Sequence, residues 1–169
     1  PKFLYRLKSV RVSFRPEMRD ESWLASLLHE IWDEKFSHVK KKNNVVIRWK
    51  GKWKNKFGHI KMLKNGDSEI GINALFQDER VPEYVVRLTI AHEIIHYMHG
   101  FHSPHQKKFK HPHKGGIVNM ELKKIGFGEE LAKEKRWFKE SWLNLYNELT
   151  NNGFEERKRN YNTSIFRFF

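Results

Sequence analysis

The chain has 169 residues, a formal net charge of +13 and no cysteine. That length suits one domain or two small ones. The absence of thiols excludes disulfides, iron–sulfur ligation, cysteine-type zinc ribbons and a thiol nucleophile. Thirteen Phe, six Trp and five Tyr exclude a wholly disordered chain, because disorder goes with few aromatic residues.

No apolar run approaches the ~18 residues of a membrane span, and the opening stretch, PKFLYRLKSVRV, has no signal-peptide core. A soluble intracellular protein, of the cytoplasm and nucleoid or of the nucleus, is therefore expected. In chain order, Lys2 to Phe14 alternates apolar and polar groups as a strand does, and Pro16 and Asp20 then break and cap. Glu21 to Phe36 reads as an amphipathic helix with Trp23, Leu24, Leu27, Leu28, Ile31 and Trp32 on one side. Lys40 to Asn44 is a basic loop. Val45 to Phe57 reads as one strand, with Val45, Ile47, Trp49 and Trp53 on one face and Arg48, Lys50, Lys52, Lys54 and Lys56 on the other. Two shorter strands, Gly58 to Met62 and Glu69 to Leu75, flank a turn at Asn65-Gly66-Asp67. Pro82 to His99 is a helix stopped at Gly100. A loop rich in His, Lys and Pro spans His102 to Gly116. A short helix, Ile117 to Ile125, and a long one, Glu129 to Glu148, come next, and residues 150–169 form a basic, aromatic tail. The pattern predicts a single α+β domain.

Charge is unevenly placed. Between Lys35 and Gly66 there are eleven Lys or Arg and no Asp or Glu. A second acid-free run, His99 to Met120, carries Lys107, Lys108, Lys110 and Lys114. Such asymmetry points to a polyanion, most often nucleic acid.

The chemistry-bearing motif is His92-Glu93-Ile94-Ile95-His96, an HExxH sequence inside the predicted helix. Two His four apart lie on one helical face and can reach one zinc ion, while the Glu between them is placed to take a proton from water that the metal acidifies. A catalytic zinc needs a third protein ligand and an open fourth position. Seven of the ten His fall between 92 and 113, so several candidates exist. His99 lies on the same helix, where three ligands rarely converge. His102 has the spacing of an HExxHxxGxxH pattern, but Gly100 comes one residue late. Glu121 would come from the following helix, and His105 reads as a loop residue. His111 and His113 stand just before Gly115-Gly116.

Three stretches carry a family resemblance: Leu88-Thr-Ile-Ala-His-Glu-Ile-Ile-His96, Pro112-His-Lys-Gly-Gly116 and Glu121-Leu-Lys-Lys-Ile-Gly126. The segment from Val81 to Gly126 resembles the SprT-like, or Spartan-like, zinc metallopeptidases, and the helix at Trp23 to Phe36 followed by a strand at Val45 to Trp53 matches that family's order. The resemblance covers residues 20–130. It implies a zincin-like single domain, residues 1–149, with a small mixed or antiparallel sheet packed on the HExxH helix, and a tail over 150–169. It implies Zn2+ held by His92, His96 and His113, with His111 as the alternate ligand, and Glu93 as general base. It implies protein substrates bound on or crosslinked to DNA, and a strand around Asn73 lining the cleft. Arg48, Lys50, Lys52, Lys54 and Lys56 are the candidate nucleic-acid contacts, and no membrane partner is expected. Tyr97, Tyr161 and His59 are candidates by type for stabilising an oxyanion. The chain departs from many members in having no cysteine-based zinc ribbon. Two other readings remain: a nucleic-acid-binding module with a structural or vestigial zinc, and another zinc hydrolase such as an amidase. Glu93 discriminates between cutting and binding, because a structural site needs no base.

Overall fold

The computed structural model describes residues 19–151. The strand expected over Lys2 to Phe14, Tyr161 and nearly all of the expected tail lie outside the described residues. Helix α1 (Glu21–Lys35) starts at Asp20, whose side chain accepts a hydrogen bond from the Trp23 amide. Glu21 in its first turn and Lys35 in its last complement the helix dipole. Its apolar side buries Leu24, Leu27, Leu28, Ile31 and Trp32.

Three strands follow: β1 (Val45–Lys50), β2 (Gly58–Met62) and β3 (Ser68–Asn73). They form one mixed sheet in the order β1-β3-β2, with β1 parallel and β2 antiparallel to β3. The central strand β3 is buried along its whole length. Ile47, Ile70 and Ile60 stand side by side across the three strands. This apolar face is covered by α1, which lies against β1, and by α2 (Glu83–Met98), which lies against β2 and β3. On the opposite face Glu69 is buried between Lys50 at 3.3 Å and Lys61 at 3.1 Å, and His59 lies over Gly71.

The strand expected over Val45 to Phe57 stops at Lys50. Gly51 turns the chain at φ +56, and the Trp53 indole occupies the space a Cβ there would need. Trp53 swings away from Ile47 to the other face of the sheet, where it meets His59 edge-on at 5.4 Å. Residues 51–57 then run as a loop fastened from beneath. The Asn73 amide donates to the carbonyls of Trp53 (2.7 Å) and Lys56 (3.1 Å), and the Asn73 backbone N–H donates to Phe57 O at 2.7 Å. Asn73 also caps the short 3-10 turn Ala74–Gln77 through Leu75 N, which ends β3 before the Leu75 expected from the sequence. The alternating pattern read from residues 45–57 is local, whereas the anchor that breaks it is a side chain of a distant strand.

Helix α2 is buried around nearly its whole circumference, from Val85 to Tyr97. It is flanked by α1 on one side and by α3 (Ile117–Lys124) and α4 (Gly128–Trp137) on the other. A π-helical turn, Phe138–Trp142, follows α4, and residues 143–151 are helical again. The Trp142 indole N–H donates to Lys54 O at 2.8 Å, so the end of the chain clasps the same 51–57 loop. No helix among the described residues is long and apolar enough to cross a membrane.

Candidate metal centre

His92, Glu93 and His96 come from the middle of α2, where burial on all sides fixes the helix and so fixes their directions. The chain then doubles back. Gly100 takes φ +79, and a Cβ there would lie 2.6 Å from the carbonyl carbon of Gln106, so only glycine lets residues 106–107 cross so closely. Lys108 N donates to His99 O at 3.0 Å and locks the crossing. From there the loop returns over α2 and delivers His113 just before the turn Lys114–Gly116 that opens α3. Val118 and Leu122 of α3 are buried and hold that return in place.

The outcome is a triangle of imidazoles. Ring centroids are separated by 4.7 Å for His92–His96, 5.2 Å for His92–His113 and 4.6 Å for His96–His113. One ligand atom from each of the three lies within 4.8 Å of the others. Nitrogens bound tetrahedrally at Zn–N distances of about 2.0–2.1 Å stand about 3.4 Å apart, a spacing that small side-chain rotations supply. The Nδ1 atom of His96 is buried with no hydrogen-bond partner. Burial, with some help from neighbouring His, lowers His92 to about 4 and His96 to about 3. Both rings are then neutral near pH 7, as metal ligands must be. The donor set, three imidazoles with an open side, fits a zinc ion of the catalytic kind.

The remaining candidates stand apart from the triangle. His99 is buried against Phe109 at 4.8 Å. His102 is exposed, with φ 52, at the margin of the site. The His105 Nε2 atom is hydrogen bonded with Lys40 O at 2.9 Å. His111 is exposed, and Glu121 pairs with Lys124 at 3.2 Å.

Glu93 is 5% exposed and faces β2. A Cβ on Gly58 would sit 3.0 Å from Glu93 Oε1 and 2.7 Å from Thr89 Cγ2, so strand and helix meet here at backbone distance. Burial pushes the Glu93 carboxyl up to about 8, against an opposing pull from Lys56. A carboxylate poised near neutrality beside a metal centre suits proton transfer.

Two clefts meet over these residues. The larger, about 390 Å3, runs between the 55–58 segment, α2, α3 and α4. The smaller, about 250 Å3, runs past His59, Ile60, Phe101 and Pro112. They share Gly58, His92, Glu93 and His113 and so make one groove across the site. The strand beside it is β2, an edge of the sheet among the described residues. Asn73, expected on the strand lining the cleft, belongs instead to the central strand, with both edges taken.

Among the oxyanion candidates, His59 lines the smaller cleft. Tyr97 does not line either: its hydroxyl donates to Asn43 Oδ1 and accepts from Lys42 N, both at 2.8 Å, which ties the basic 40–44 loop to α2. The five basic residues expected on one strand face are split. Arg48 is exposed on β1 and Lys50 is engaged with Glu69. Lys52, Lys54 and Lys56 are exposed on the loop, with Lys56 over the Trp53 ring at 4.5 Å and lining the larger cleft. Two cleft residues escaped the sequence reading. Gly58 gave no signal, while Glu134 is legible in retrospect as an acid on the apolar stripe of α4.

A family model, the SprT-like family, matches residues 24–136. No curated protein and no solved structure matches the chain.

Proposed function

The chain belongs to the SprT-like family, and from that premise we propose that it is a zinc-dependent endopeptidase acting on proteins bound on, or crosslinked to, DNA. The observation that carries the reading is the convergence of His113 on the HExxH pair, with Glu93 buried beside them at the crossing of two clefts. A mixed sheet backing such a helix supports a zincin-like reading.

In this reading His92, His96 and His113 hold the zinc and leave its cleft side open. When bound, zinc supplies Lewis-acid polarisation of the scissile carbonyl and acidifies water. Glu93 accepts the water's proton and returns it to the leaving amine. Its walled position on α2, against Gly58, keeps competing solvent from the carboxylate. The edge that β2 forms among the described residues would offer main-chain groups to an extended peptide, which aligns the bond to be cut. Lys56, which lines the larger cleft, with Lys52 and Lys54 exposed on the same loop and Arg48 exposed on β1, would bring a polyanion close to that groove.

The test is cleavage of a DNA-binding protein by the zinc-loaded chain, with and without DNA, beside the Glu93→Gln variant. Removing a general base costs roughly 10²–10⁴ in rate. The variant should therefore lose cleavage while keeping its zinc, measured by elemental analysis. A variant that cuts as fast as the parent would refute the role given to Glu93.

A further inference from the structure

The larger cleft contains a carboxylate that this chemistry leaves idle. Phe127, Leu131 and Phe138 recur at helical spacing along α4 and the turn beyond it, and Glu134 stands on the same stripe. Phe127 and Leu131 are buried, and Phe138 packs on Phe57 at 4.9 Å. An apolar side chain at 134 would close this seam. Instead an acid lines the same cleft as His92, Glu93 and His113. Leu88, Leu122 and Leu131, all buried, line the same cleft. No Lys or Arg among the described residues is in ion-pair contact with Glu134. Burial raises its carboxyl to about 7, with Lys135 pulling the other way. An unpaired acid on an apolar seam is a standing cost to the fold, and a cation entering the cleft relieves it.

We propose that Glu134 is a specificity-determining residue that receives a cationic group of the substrate, ammonium or guanidinium, in the cleft it shares with His92 and His113. The inference rests on the peptidase reading. Lys and Arg carry their charge on a flexible apolar stem, and leucine walls ending in a carboxylate complement that shape. A free N-terminus offers the same ammonium without the stem. Lys56 and Lys135 border the same cleft, so Glu134 is its acidic point apart from Glu93.

The experiment uses N-acetylated peptides that differ only in one residue flanking the cut, Lys, Arg or norleucine, and the norleucine peptide again with a free N-terminus. kcat/KM is measured for the zinc-loaded parent and for Glu134→Gln, an isosteric change whose folding is checked by thermal melting. The same peptides are titrated by fluorescence anisotropy into Glu93→Gln and into Glu93→Gln/Glu134→Gln. A charged hydrogen bond predicts a Lys-over-norleucine preference that falls about 10-fold or more on changing Glu134, with norleucine peptides little altered. A preference confined to the free N-terminus, and lost in the variant, supports the same site with the terminal amine as its cation. Equal handling of Lys and norleucine by the parent, or a preference that survives Glu134→Gln, overturns the proposal. A parent that cleaves nothing defeats the peptidase reading alone, because the anisotropy arm still reports whether Glu134 selects a cation.

Discussion

Glu93 is buried beside two histidines whose titration runs the opposite way, and the metal-free protein should report both. Its carboxyl, ordinarily near 4.5, is raised to about 8, so the folded chain holds a proton that the unfolded chain releases. That contribution to stability falls as pH rises from 4.5 to 8. His92 and His96 are lowered from 6.5 to about 4 and about 3, so the unfolded chain binds protons that the folded one refuses, and stability falls as pH drops below 6.5. Chelator-treated Glu93→Gln should therefore be more stable than chelator-treated parent, by a margin that widens from pH 4.5 to 8 in urea titrations. A margin independent of pH would put the Glu93 carboxylate in water. His113 is the other decisive residue. It is exposed and sits on a loop, yet it completes the triangle. His113→Ala should strip the zinc that His102→Ala and His111→Ala retain, as read by elemental analysis after dialysis. An intact zinc complement in His113→Ala would move the third ligand elsewhere. The HExxH pair was legible because helical spacing alone brings residues 92 and 96 to one face. Spacing alone left the third ligand open; the family resemblance pointed to His113, and the crossing at Gly100 is what brings it to the pair.

Among elements, the contact that sets the site is β2 against α2 at Gly58. Gly58→Ala would press a methyl onto Thr89 and Glu93, and overpacking of this kind costs roughly 1–3 kcal/mol. We expect lower urea stability together with slower peptide cleavage, because Glu93 must shift. Adding Thr89→Ser, which removes Cγ2 but keeps the hydroxyl bonded to Val85 O at 2.8 Å, should return stability more fully than activity. Recovery of both in step would assign the harm to Thr89 alone. The helices α1, α2 and α3 and the turn at Asn65-Gly66-Asp67 were readable from periodicity, caps and turn residues. The extent of β1 was not, since its alternation continues past the point where Gly51 and Asn73 redirect the chain. The parallel pairing of β1 with β3 also leaves no local trace, because it joins segments that only the tertiary fold brings together.

For the molecule as a whole, the excess of +13 is distributed so that some cations are committed and others are not. Lys50 and Lys61 neutralise buried Glu69, whereas Lys52, Lys54 and Lys56 are exposed on the 51–57 loop, whose Lys56 lines the cleft. Each phosphate contact contributes about 0.7–0.9 to the slope of log K against log salt. Replacing all three loop lysines by Ala should therefore lower that slope by about 2–3 in anisotropy titrations with a DNA oligonucleotide. Lys50→Ala should change it little. A triple variant with the parent's slope would take this loop out of the interface. The hydrogen bonds that hold the loop carrying these lysines to the described fold end on its main-chain carbonyls: Gly51 is held by Ala74 N, Trp53 and Lys56 by the Asn73 amide, Lys54 by Trp142, and Phe57 by Asn73 N. None of these ties depends on which side chain stands at 52, 54 or 56. The surface there can be redrawn by mutation, from basic to neutral or acidic, while its scaffold stays as it is. A descendant of this protein, natural or engineered, can thus change what this surface meets without refolding the loop beneath it.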